Sequence, residues 1–157
     1  MIKTVKFGKN QILMDNNVGW TMVYRDQFGQ DIIPSLMPLL AGVVEMVSGI
    51  IETAGDKKEF SMETIAELSE SGKLEEAIIK AASAEFVDFI NITWALAKNA
   101  DDSIPEPREW VKQFDEFPVD VIGPEVFKLV FKGMVSSKNL KRMDAMIKSV
   151  HPTTKSE

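Results

Sequence analysis

The spacing of apolar and polar positions changes along this chain, and each change marks an element. Thr4-Val5-Lys6-Phe7 and Gln11-Ile12-Leu13-Met14 enclose Gly8-Lys9-Asn10, which predicts a β-hairpin over about 3–14 with a three-residue turn. Asp15, Asn16 and Asn17 are capping residue types, and Trp20, Val23, Tyr24 and Phe28 follow as one helical stripe. Gly29 suits the left-handed stop of that helix.

From Ile32 to Ile51 (IIPSLMPLLAGVVEMVSGII) the period is lost because nearly every position is apolar. Pro34 fits a first helical turn, whereas Pro38 deeper in would remove a backbone bond, so a helix is expected to start or kink at Pro38. The length alone admits a membrane span. Glu45, the two prolines, Gly42, Gly49 and the lack of a flanking Lys/Arg bracket favour instead a helix in the core or against a partner.

Ala54 to Glu59 reads as a polar linker, and Ser61 opens a short helix that Gly72 can end. Over Lys73 to Lys98, Leu74, Ile78, Ala82, Phe86, Phe89, Thr93 and Leu96 form one apolar stripe, and Ile79, Val87, Ile90 and Trp94 a second. A helix apolar on two sides belongs at the centre of a bundle, so one continuous central helix is expected there. Asn99 to Pro107 is a loop, and Pro107 starts a helix carrying Trp110 and Phe114. Pro118 and Pro124 bound an expected turn, after which Phe127, Val130, Phe131 and Met134 stripe a helix and Leu140, Met143, Ile147 and Val150 a last one. His151 to Glu157 reads as a frayed tail. The predicted fold is mainly α: a single-domain helical bundle with a short N-terminal β-hairpin and helices over about 17–150.

At 157 residues, 45% hydrophobic and 27% charged, the chain has the size and balance of one globular domain. The opening MIKTVKFGKN is too polar for a signal peptide. A net charge of −6 argues against general nucleic-acid binding, which needs clustered Lys and Arg. Lys128, Lys132, Lys138, Lys141, Arg142 and Lys148 form a basic end on this acidic body, a pattern that fits a solvated helix face.

Catalytic equipment is sparse. With no cysteine there is no thiolate nucleophile or cysteine metal site, and the single histidine, His151, sits in the tail beside Pro152. Glu75-Glu76 and Asp101-Asp102 are sequence neighbours and do not converge on one ion from a helix. No Gly-rich phosphate loop, nucleophile elbow or calcium loop occurs. The expectation is no enzyme, no catalytic residue, no metal and no cofactor. Nine methionines, most of them on apolar stripes, fill cores but also suit a surface that repacks against a partner.

Several stretches carry a family resemblance: Asn17-Val18-Gly19-Trp20 with Tyr24-Arg25, Phe28-Gly29-Gln30-Asp31, Pro34-Ser35-Leu36-Met37-Pro38, Phe89-Ile90-Asn91-Ile92-Thr93-Trp94-Ala95-Leu96-Ala97-Lys98 and Ser136-Ser137-Lys138-Asn139-Leu140-Lys141. Through them the chain resembles the tail assembly chaperones of long-tailed bacteriophages of Gram-positive hosts, especially the lactococcal type. The resemblance implies a non-enzymatic protein of the host cell cytoplasm, absent from the mature virion. It would bind the phage tape measure protein and keep it soluble until the tail tube polymerises around it. Self-association into oligomers would fit as well, and no membrane role is implied. Two other readings stay open: a small DNA-binding regulator using the basic C-terminal helices, and a structural tail component.

The candidate partner surface is the apolar segment itself, at Leu36, Met37, Leu40, Val43, Val44, Val47 and Ile50. The argument is surplus: an amphipathic helix needs one apolar stripe, and this one is apolar nearly all round.

Overall fold

A computed structural model describes residues 1–39, 41–42 and 72–134. Two strands, β1 (Ile2–Phe7) and β2 (Asn10–Asp15), form an antiparallel hairpin. Helices α1 (Trp20–Phe28), α2 (Lys73–Ala84), α3 (Phe86–Ala100), α4 (Pro107–Val111) and α5 (Val119–Met134) follow, with a further helical run at residues 33–39 and 41–42. The fold is mainly α with a short N-terminal β-hairpin, as the pattern predicts. The expected linker, the short helix from Ser61, the last helix and the tail with His151 lie outside the described residues.

The hairpin turn is one residue tighter than expected. Phe7 pairs with Asn10, leaving Gly8-Lys9 as a two-residue loop. Gly8 has φ 55° and Lys9 does not have positive φ, the sign pattern of a type II′ turn, whose twist matches the strands. The register pairs Val5 with Ile12 and places Val5, Phe7, Ile12 and Met14 on one buried face.

Asp15, Asn16 and Asn17 do not cap α1 through their side chains. Asp15 Oδ1 accepts from the Asn17 N–H at 3.0 Å and Asn17 Oδ1 from the Gly19 N–H at 3.1 Å, so they shape the turn before the helix. Gly19 is the residue that precedes its first turn. At the other end Gly29, at φ 71°, returns its N–H to the Arg25 carbonyl.

The central helix is not continuous. Glu85, at φ −117° and ψ 53°, separates α2 from α3. The two halves serve different neighbours: α3 lies along β2 and α1, while α2 packs on α5. Tertiary packing overrides a local sequence that favours helix throughout.

Pro118 and Pro124 do not bound a turn either. The Pro118 carbonyl accepts from the Ile122 N–H at 2.9 Å and opens α5, and Pro124 sits inside that helix. A proline in the second turn costs one backbone bond, and burial of Ile122, Val126, Leu129 and Val130 on one face offsets that loss.

One apolar cluster joins the hairpin to the helices, with Trp20, Met14, Ile92, Leu96 and Ile122 almost wholly excluded from solvent. An aromatic group closes one side of it. Phe7, Phe89, Trp110 and Phe114 surround or border Phe117, with ring centroids 5.0–6.5 Å apart in tilted and edge-on pairs. The loop after α3 is pinned back on that helix: Trp94 Nε1 donates to the Pro105 carbonyl at 2.9 Å, and Lys98 Nζ to those of Asp102 and Ile104.

Candidate functional site

The apolar segment enters the fold at Ile32, whose side chain is buried. Asp31 Oδ1 accepts from the Ile33 N–H at 3.2 Å, and the Leu36 N–H bonds the Ile32 carbonyl at 2.8 Å, so helix begins in this turn, before Pro38. Pro34 falls in that first turn, where its missing donor is harmless. Tyr24 Oη and Ser35 Oγ share a buried hydrogen bond of 2.8 Å, which ties the run to α1.

The candidate surface residues divide between two environments. Leu36 is 6% exposed and belongs to the core cluster, whereas Met37, the next residue, is 45% exposed. Leu40, Val43, Val44, Val47 and Ile50 lie outside the described residues.

Beside Leu36 is a cavity of about 40 Å³, walled by Leu36, Ile78, Phe89, Gly123, Val126 and Val130 among other apolar residues. Its walls are apolar and it is partly open to solvent, an apolar recess and not a sealed void. The walls come from the 33–42 run, α2, α3 and α5. Apart from Leu36, these walls are not legible as a site in the sequence, since four separate elements assemble them. Their only signal in the sequence was ordinary helical periodicity.

Among the described residues, polar side-chain contacts away from this pocket fasten loops and element ends. The Asp101 carboxylate accepts from the Ser103 hydroxyl at 2.6 Å and the Ser103 N–H at 2.9 Å. Those two bonds, with a smaller contribution from the Lys98 charge, hold its pKa below the ordinary 3.8. Asn99 Nδ2 donates to the Asp15 and Asn17 carbonyls at 3.2 and 3.1 Å, fastening α3 to the end of the hairpin. Of the basic end, Lys128 and Lys132 are described, and Lys128 stands 3.9 Å from Glu125. Lys138, Lys141, Arg142 and Lys148 are outside the described residues.

Among the described residues no group of three His, Cys, Asp or Glu side chains could hold a metal ion. No helix of the described residues is long and apolar enough to cross a membrane. No family model, curated protein or solved structure matches the chain.

Proposed function

We propose that this protein is a non-enzymatic phage tail assembly chaperone that binds the tape measure protein in the host cytoplasm and leaves before the virion is complete. The observation that carries the reading is the division of the apolar segment at its start. Leu36 anchors it in the core, while Met37 offers 45% of its surface to solvent one residue later. A tape measure segment exposes apolar helical stripes, and a flexible thioether suits a contact that must later be released. The sequence resemblance supplies the partner. The segment's apolar surplus and the cavity beside Leu36 support an apolar binding surface.

Co-purification with a tape measure segment tests the reading. Met37→Glu combined with Val44→Glu should abolish capture while leaving the melting temperature nearly unchanged. Capture that survives both changes removes this surface from the binding site. Salt-sensitive duplex DNA binding at micromolar protein would replace the chaperone reading with that of a regulator. Recovery of the chain from purified virions would make it a structural tail component.

A further inference from the structure

Glu85 breaks the backbone where the local sequence asks for helix. Ala81-Ala82-Ser83-Ala84-Glu85-Phe86 contains no Gly or Pro, and alanine and glutamate are strong helix formers. Both torsions of Glu85 depart: φ, at −117°, is about 54° and ψ, at 53°, about 95° from the helical values near −63° and −42°. Backbone bonds still reach across the joint, from the Glu85 N–H to the Ala81 carbonyl at 3.2 Å and from the Phe89 N–H to the Glu85 carbonyl at 2.9 Å. A continuous helix would add the bonds from Phe86, Val87 and Asp88 back to Ala82, Ser83 and Ala84. Residues 83–87 are exposed, so in the bent form water satisfies most of these groups and can be exchanged for internal bonds.

The two helices are anchored unequally. From α3, Phe89, Ile92, Trp94 and Leu96 enter the centre of the core. The buried side chains of α2 are Leu74, Ile78 and three alanines. A pocket borders this contact, lined by Ile78, Ala81 and Ala82 of α2 and by Gly123, Val126 and Val130 of α5 together with walls from the 33–42 run and α3, so α2 faces unfilled space on that side. At its far end α2 is preceded by Gly72, whose φ of 77° makes a second joint with nothing within 4 Å of a Cβ built there.

We propose that Glu85 is a hinge about which α2 swings off α5 and fuses with α3 into one helix over residues 73–100, widening the apolar pocket. The hinge is a property of the chain alone. Only the use of the widened pocket rests on the chaperone reading, in which an incoming apolar stripe would lodge against Leu36, Val126 and Val130.

Spin labels at Glu76→Cys and Ala100→Cys in the full chain, which has no native cysteine, measure the angle directly. A fused helix places these residues about 36 Å apart at 1.5 Å per residue, and the bent form brings them closer. Ile78→Ala weakens the α2–α5 contact and should raise the long-distance population several-fold, with the near-ultraviolet dichroism of Trp20, Trp94 and Trp110 preserved. Phe86→Pro should abolish it, because proline is tolerated at the first position of α3 but not inside a continuous helix. A single short distance in the Ile78→Ala chain overturns the hinge, as does a long distance that survives Phe86→Pro. Loss of the tryptophan signals in Ile78→Ala also overturns it, since α2 would then be integral to the core.

Discussion

Phe86 and Phe89 stand one helical turn apart on the same apolar stripe, yet one is 39% exposed and the other 3%. Phe86 borders the bend and meets Phe117 edge-on at 6.3 Å, whereas Phe89 reaches the core. Phe89→Ala should therefore cost about 3–5 kcal/mol in denaturant unfolding, and Phe86→Ala about 1 kcal/mol or less. Equal losses at both would place the stripe in one common environment. Asp101 makes a second residue-scale case. Its carboxylate is held charged below the ordinary 3.8, so its contribution is complete above that value and disappears as pH falls through the lower folded value. Carbon-detected titration should give a midpoint below 3.8, and Ser103→Ala, which removes the largest cause, should move it back up. An unchanged midpoint in Ser103→Ala would assign the shift to other groups.

Helix α5 shows how one element carries opposite tolerances on its surface. A Cβ on Gly123 would meet Ile78 Cγ2 at 3.5 Å and Val119 Cγ1 at 3.6 Å, ordinary contact distances. Gly123→Ala should stabilise the protein by about 0.5–1 kcal/mol, since glycine in a helix interior is entropically costly. A Cβ on Gly133 would lie 2.8 Å from the Asn16 carbonyl oxygen, at a junction where Asn16 Nδ2 also donates to the Leu129 carbonyl at 3.0 Å. Gly133→Ala must push backbone from backbone and should cost about 1–3 kcal/mol. Paired thermal melts would show opposite shifts; two shifts of the same sign would contradict the packing of α5 on the hairpin. Among the elements, the hairpin and α1 were legible in sequence because their signals are local: alternation, a glycine turn, a helical stripe and a glycine stop. The full extent of α5 was not, because Pro124 reads as a breaker until the apolar face that outweighs it is seen.

At the scale of the molecule, the apolar segment changes from core to surface within one residue. Leu36→Glu should unfold the chain by burying an unpaired charge, whereas Met37→Glu should leave the melting temperature nearly unchanged. Unfolding by both would make the start of the segment ordinary core and remove the surface on which the chaperone reading rests. The sequence by itself determined the mainly α class, the hairpin, the identity of the apolar stripes and the surplus after Ile32, all properties of residue type and spacing. Only tertiary structure decided that Lys73 to Lys98 bends at Glu85, that Leu36 is core and Met37 is not, and that an apolar pocket forms where the 33–42 run, α2, α3 and α5 meet. Periodicity states which face of a helix must be covered, but the covering neighbour is set by long-range packing. Here two neighbours, α5 for α2 and the hairpin with α1 for α3, draw one helix-forming stretch in different directions.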